Sequence, residues 1–234
     1  MLSHQLKTIF VHIPKNAGQS VEKCLLQYHD SSWEERGNFL MGENENPVKG
    51  PPRLAHLTAS EYVSYGYVTP EDFERYFKFS FVRNPWARLV SEYKWRGYFR
   101  RWRFKDWLNN HFPEPGRNSQ WRHVMPQYNY LFDAKGKCLV DFIGHFEKIK
   151  DDFDVVNASL GGNLPALPHS NKSLDKEKGI QSLLSLKRLR LMAKRLKSKE
   201  PFHDSYLDYY DDQTWKWVEK RYEKDIEMFH YTNR

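Results

Sequence analysis

At 234 residues, with 39% hydrophobic and 16% aromatic side chains, the chain can bury a real core, which excludes a disordered polymer. A formal net charge of +7 points to anionic partners: nucleotides, acidic polysaccharides, nucleic acid or anionic lipid. Two cysteines exclude a disulfide scaffold, and no Cys, His and Asp cluster has metal-ligand spacing.

Lys7 to Ile13 is a short β-branched and aromatic run, predicted as a buried strand. Pro14 stops it, Lys15 to Ser20 forms a turn, and Val21 to Tyr28 has a helical pattern. Cys24 and Cys138 each precede an apolar pair, Leu25-Leu26 and Leu139-Val140, so both are expected to be reduced core residues. Residues 29–53 carry Gly, Asn, Pro and charge without a period and read as a long functional loop. Thr69-Pro70-Glu71-Asp72 starts a helix with a capping residue and Pro at the first helical position. A second strand is predicted from Phe77 to Val82, and a helix from about Trp86 to Tyr98. A third strand follows from Leu139 to Gly144, then a helix from Glu147 to Leu160, closed by Gly161-Gly162. The last predicted helix, about Thr214 to Phe229, lines up Trp215, Val218, Tyr222, Ile226 and Phe229. This alternation implies one α/β domain over residues 1–234, a mostly parallel central sheet flanked by helices. A basic insert at about 174–200 is expected to be mobile.

No segment is organised as a signal peptide or long enough to span a membrane. A Met leading directly into a strand suggests a complete cytoplasmic chain, the other reading being the soluble domain of an anchored enzyme. Little weight falls on the sequons at Asn157 and Asn171 without a secretory context.

The chemistry begins at Ile13-Pro14-Lys15-Asn16-Ala17-Gly18-Gln19-Ser20. A strand, a tight turn and a helix N-terminus bring unpaired backbone N–H groups and the helix dipole to bear on an anion. Lys15 adds a full charge, Gly18 permits close backbone approach, and Ser20 offers a hydroxyl. This is not a Walker A box, because Lys15 precedes Gly18 by three residues instead of following a glycine. An ordinary strand-to-helix turn with an exposed Lys remains the alternative. The segment from Phe79 to Ser91 repeats the design: Arg83 ends a strand, where open α/β sheets bind ligands, and Ser91 sits about two helical turns on. Arg suits a bidentate grip on phosphate.

Together, HIPKNAGQS and FVRNPWARLVSEY resemble the 5′-phosphosulfate and 3′-phosphate motifs of the sulfotransferase superfamily. The likeness is closest to its carbohydrate branch, which holds the heparan sulfate 2-O and chondroitin enzymes. It continues through His123-Val124-Met125-Pro126-Gln127, Ile143 to Glu147, Leu167 to Ser173 and the terminal DIEMFHY, nearly the whole chain in order. The chain departs from the family at Asn16-Ala17, where Thr-Gly or Thr-Ala is common, and at Gln19, where Thr is common.

The resemblance implies transfer of a sulfuryl group from 3′-phosphoadenosine-5′-phosphosulfate (PAPS), releasing 3′-phosphoadenosine-5′-phosphate (PAP), without a metal. It assigns the 5′-phosphosulfate to Lys15, Asn16, Ala17, Gly18, Gln19 and Ser20, and the 3′-phosphate to Arg83 and Ser91. Lys172 or Ser173 would close over the cofactor. The attacking hydroxyl needs a proton acceptor, and His suits that task with a pKa near working pH. His56 resembles the catalytic His of the 2-O enzymes, and a pH limb near 6–7 is expected from it. His123 is an acceptor-site residue and second choice as base, and Glu61 is third, while His12 is expected to pack beside the loop.

Between Lys94 and Lys105 six basic residues, Arg100 and Arg101 among them, alternate with aromatics, a mixture that binds acidic sugars or simply forms a solvated helix face. Residues 187–199 carry seven basic side chains on a helical Leu stripe, read as a solvated helix with membrane-surface binding as the rival. The expected acceptor is a hydroxyl on a carbohydrate, anionic or not, with protein tyrosine or a small alcohol next and no nucleic acid. A kinase or ATPase is disfavoured because no acidic residue is placed for Mg²⁺. A non-catalytic polyanion-binding module would leave the paired loops unexplained.

Overall fold

The structure is a computed structural model that describes residues 1–168 and 199–232. Lys172, Ser173 and nearly all of the 174–200 and 187–199 basic segments lie outside the described residues. The chain gathers into two compact units: Met1–Pro85, Pro113–Ser170 and Tyr222–Arg234 form one, Trp86–Phe112 and Asn171–Arg221 the other.

The first unit holds a four-stranded sheet in the order β1 (Leu2–Ser3), β2 (Thr8–Val11), β3 (Phe77–Val82), β4 (Phe142–His145). β2, β3 and β4 run parallel, with Phe10 opposite Phe79 and Phe79 opposite Phe142, while β1 pairs antiparallel with β2. The predicted α/β class with a mostly parallel sheet is what forms. Both faces of β2 are covered, which is why Thr8-Ile9-Phe10-Val11 is a continuous buried run without alternation. One apolar cluster joins Phe10, Phe79 and Phe81 to Val21 and Leu25 of α1 (Gly18–Tyr28) and to Phe153 and Val156 of α8 (Ile149–Ser159). A second cluster joins Ile9, Val11 and Val82 to Tyr62 of α2 (Ala59–Ser64), Phe73 of α3 (Pro70–Arg75) and Tyr130 of α7 (Tyr128–Leu131). α6 (Ser119–Val124) also belongs to this unit.

The second unit is organised by aromatic packing. α4 (Pro85–Arg96) buries Trp86 and Tyr93, and α5 (Phe104–Asn110) buries Phe104 and Trp107. Trp86 stacks on Trp215 of α9 (Asp212–Arg221) with centroids 4.4 Å apart and donates its indole N–H to the Trp215 carbonyl at 3.3 Å. Such stacked pairs contribute about 0.5–1.5 kcal/mol beyond their burial.

Three sequence expectations are corrected. The third strand is Phe142–His145, three residues later than predicted at its start, because 133–137 form a surface turn whose amides from Lys135 and Lys137 bond Asp133 Oδ1. That turn carries Cys138 to the surface, so it is not a core residue; Val140 alone of its neighbours is buried. Cys24 is buried as expected, and burial pushes its thiol up to about 12, so it stays neutral. The last helix is two, α9 and α10 (Glu223–Met228), broken at Tyr222 with φ −118° and ψ 27°. The break buries Tyr222, whose hydroxyl donates to the Val124 carbonyl. Residues 29–53 hold short 3-10 turns, at Glu34–Phe39 and Pro47–Lys49, and an isolated antiparallel bridge between Glu43 and Arg53. No helix among the described residues is long and apolar enough to cross a membrane.

Candidate active site

β2 and β3 are neighbouring parallel strands, so the turns that follow them leave the sheet at the same edge. That edge, outside the carboxyl ends of parallel strands, is where open α/β sheets form ligand sites. After β2 the backbone is strained: Lys15 has φ 75° and Ala17 φ 61°, left-handed conformations that non-glycine residues rarely adopt. Ala17 caps α1 without any side-chain hydrogen bond, and no acidic residue lies in the first turn. Ala17 has no side chain to cap the helix, so α1 opens on a positive dipole end, with Lys15 two residues before the cap in the chain. A phosphate-bearing ligand fits that chemistry. Ser20 is buried in the first turn, and Gln19 is exposed.

Gly18 has a second reason to be glycine. A Cβ there would lie 2.0 Å from the His12 ring, so the imidazole packs directly on the helix start. His12 is buried, and its Nδ1 meets the buried Glu22 carboxylate at 2.6 Å. The sequence placed His12 beside the loop; its carboxylate partner was not foreseen.

The turn after β3 is tied to the first. Arg83 donates from Nη1 to the Lys15 carbonyl at 3.0 Å and lies 4.1 Å over the Phe146 ring. Asn16 Nδ2 donates to the Phe81 carbonyl at 2.8 Å and to Gln127 Oε1 at 2.7 Å. Its Oδ1 is buried with no hydrogen-bond partner, an acceptor that suits an O–H or N–H donor and not an anion. Ser91 lies half-buried on α4 in the second unit.

His56 ends a 3-10 turn, Leu54–His56, and is only 5% exposed. Its ring makes an edge contact with His12 at 4.7 Å and another with His123, on α6, at 5.1 Å. Three histidines far apart in sequence thus form one buried row. His56 Nδ1 lies 3.3 Å from the His12 carbonyl oxygen. A carbonyl only accepts, so Nδ1 carries the proton and Nε2 carries the lone pair. Burial, reinforced by His12 and His123, holds the His56 pKa well below the ordinary value, which corrects the 6–7 limb expected from sequence. Glu61 is spent elsewhere: it closes a capping box with Thr58 and accepts from both Arg122 terminal nitrogens. Arg122 in turn donates to the His56 carbonyl at 2.8 Å.

A depressed His pKa has a consequence for stability. Above about pH 6.5 His56 is neutral both folded and unfolded. Below that, the unfolded chain takes a proton that the native state refuses until its own lower pKa, so stability falls with pH. Arg53, His12 and His123 all oppose charge on this ring. Urea midpoints at about pH 7.5 and about pH 5.5 should show this loss, and His56→Gln should reduce it. An equal loss in both proteins would place the acid sensitivity elsewhere.

The basic-aromatic stretch divides into two groups. Lys94 donates to the His203 carbonyl, Arg96 pairs with Glu92 at 2.8 Å, and Lys105 pairs with Asp211 at 2.8 Å. Arg100, Arg101 and Arg103 are exposed, as is Trp95.

A model described as Sulfotransferase family matches residues 1–232, almost the entire chain and both units. The chain belongs to the sulfotransferase family. Its parallel sheet and paired turns are consistent with that family's fold, and its general chemistry is sulfuryl transfer. An uncharacterized protein of Archaeoglobus fulgidus is 30% identical to this sulfotransferase over 95 residues, 38% of this chain and 71% of the relative. No solved structure gives a significant match. Among the described residues no group of His, Cys, Asp and Glu has the arrangement of a metal site.

Proposed function

We propose that this sulfotransferase uses PAPS as donor, transfers its sulfuryl group to an acceptor hydroxyl on a carbohydrate, and releases PAP. The observation that carries the reading is the strained, uncapped β2–α1 turn lying beside Arg83 at one sheet edge. When bound, the donor supplies an activated sulfuryl group on a phosphate leaving group. Lys15 and the first amides of α1 hold the 5′ end and offset negative charge gathering there. Gly18 and Ser20 complete this cradle, while Asn16 fixes its shape through its amide. Arg83 receives the 3′-phosphate, and Ser91, Lys172 and Ser173 are assigned to the cofactor by family likeness alone. His56 accepts the acceptor's proton at Nε2, the nitrogen left with a lone pair. His123 lines the acceptor side and orients the His56 ring through their edge contact. Glu61, bound to Arg122, ranks behind both as base.

Arg100 and Arg101 are assigned to an anionic acceptor. Replacing both by Ala should raise the acceptor KM and leave PAP affinity unchanged. The effect should shrink with added salt, because exposed charges are screened over roughly 10 Å at about 0.1 M. An unchanged KM over several anionic acceptors would return these residues to a solvated surface.

Incubation with sulfur-35-labelled PAPS and a panel of glycans, tyrosine peptides and small alcohols tests the acceptor. Label on a glycan is the expected result. Label on tyrosine peptides or alcohols alone would overturn the carbohydrate assignment and leave the donor assignment standing.

A further inference from the structure

Two stretches that resemble the family without a role of their own, HVMPQ and DIEMFHY, meet beneath the paired turns. Gln127 and Asp225 are both completely buried. Gln127 Oε1 accepts from Asn16 Nδ2 at 2.7 Å and from the Arg83 amide at 2.9 Å. Its Nε2 donates to the Arg83 carbonyl at 2.8 Å and to Asp225 Oδ2 at 3.3 Å. The amide orientation is set by these partners, because a backbone N–H only donates and a carbonyl only accepts. One side chain therefore holds the first turn by Asn16 and both polar backbone atoms of Arg83 in the second. Asp225 fixes Gln127 in place, accepting from the Gln127 and Tyr128 amides at 2.8 Å each.

We infer that Gln127, anchored by Asp225, is a positioning residue that fixes the separation between the two anion-holding turns, and so selects a nucleotide carrying anions at both ends. This rests on the donor site proposed above. Neither residue touches the nucleotide in this assignment; both act through Asn16 and Arg83. Of the residue types of this size, only an amide both accepts from Asn16 and Arg83 and donates to Arg83. Glu would set an oxygen against the Arg83 carbonyl and the Asp225 carboxylate, and Met would leave the buried Asn16 and Arg83 donors without this acceptor.

The test compares PAP, with phosphates at both ends, with AMP, which has only the 5′ phosphate, by calorimetric titration. Wild type should prefer PAP strongly. In Gln127→Met and Asp225→Asn the PAP/AMP affinity ratio should fall by about tenfold or more, the scale of one or two buried hydrogen bonds. AMP affinity should fall less than PAP affinity, since Asn16 keeps its bond to the Phe81 carbonyl and the β2–α1 turn keeps Lys15. With PAPS as substrate, donor KM should rise more than kcat falls. A purely structural role would lower stability and weaken both nucleotides in proportion, leaving the ratio unchanged. That result in either folded variant overturns the inference. Failure of both variants to fold overturns it too, by assigning the pair to the core of the fold. A wild type without preference for PAP would instead sink the donor site itself.

Discussion

His56→Ala should lose about 10²–10⁴ in kcat, the usual worth of a positioned general base, while PAP binding survives. The separation of effects is the informative part. His56 belongs to the 3-10 turn at Leu54–His56, away from Lys15, Gly18 and Arg83 in the chain, and makes its polar contact with the His12 carbonyl. Removing its ring deletes the Nε2 lone pair without deleting a phosphate ligand. Wild-type kcat should be flat with pH above about 6.5 and fall only below it, because the base must be neutral and its pKa is depressed. That acidic limb should disappear in His56→Ala. A folded variant with near wild-type turnover would eliminate His56 as base, and His123, one ring contact away, would be tested next.

Lys15→Ala should behave differently, losing turnover and cofactor affinity together. A charged hydrogen bond is worth about 1.5–3 kcal/mol, or roughly 10- to 150-fold in Kd. In the proposed mechanism the charge also offsets the growing negative charge on the leaving phosphate, and one such donor is typically worth about 10²–10³ in kcat. Folding should be spared, because Lys15 is half-buried and its left-handed backbone suits Ala no worse than Lys. PAP titration and steady-state kinetics on the same preparation check both effects. Loss of turnover with intact PAP affinity would move Lys15 away from the 5′ end.

The sequence made much of this site legible because its signals are local. Pro14, Gly18 and the change from a β-branched run to helical spacing mark the β2–α1 turn within a dozen residues. Arg83-Asn84-Pro85 does the same at the end of β3. What was not legible depends on contacts between distant segments. Glu22 is one more charged residue on a helix until the fold sets its carboxylate 2.6 Å from His12. His56 and His123 lie 67 positions apart in sequence numbering, yet their rings touch, and it is burial first, then His12 and His123, that lowers the His56 pKa. Gln127 and Asp225 have no period or spacing that announces a link, and only the structure shows them joining the two turns. Cys138 misled for a related reason: its apolar neighbours suggest a strand, but the Asp133 side chain organises a surface turn instead.

Calorimetric titration of the wild-type protein with PAP and ATP under identical conditions tests the donor site most directly. In the proposed site both nucleotides offer 5′-phosphates to Lys15 and the start of α1, but only PAP offers a 3′-phosphate to Arg83. The expected result is one PAP site, at least about tenfold tighter than ATP, the scale of a single charged hydrogen bond. Equal affinities, or no PAP binding at all, would contradict the assignment of these paired turns to PAPS.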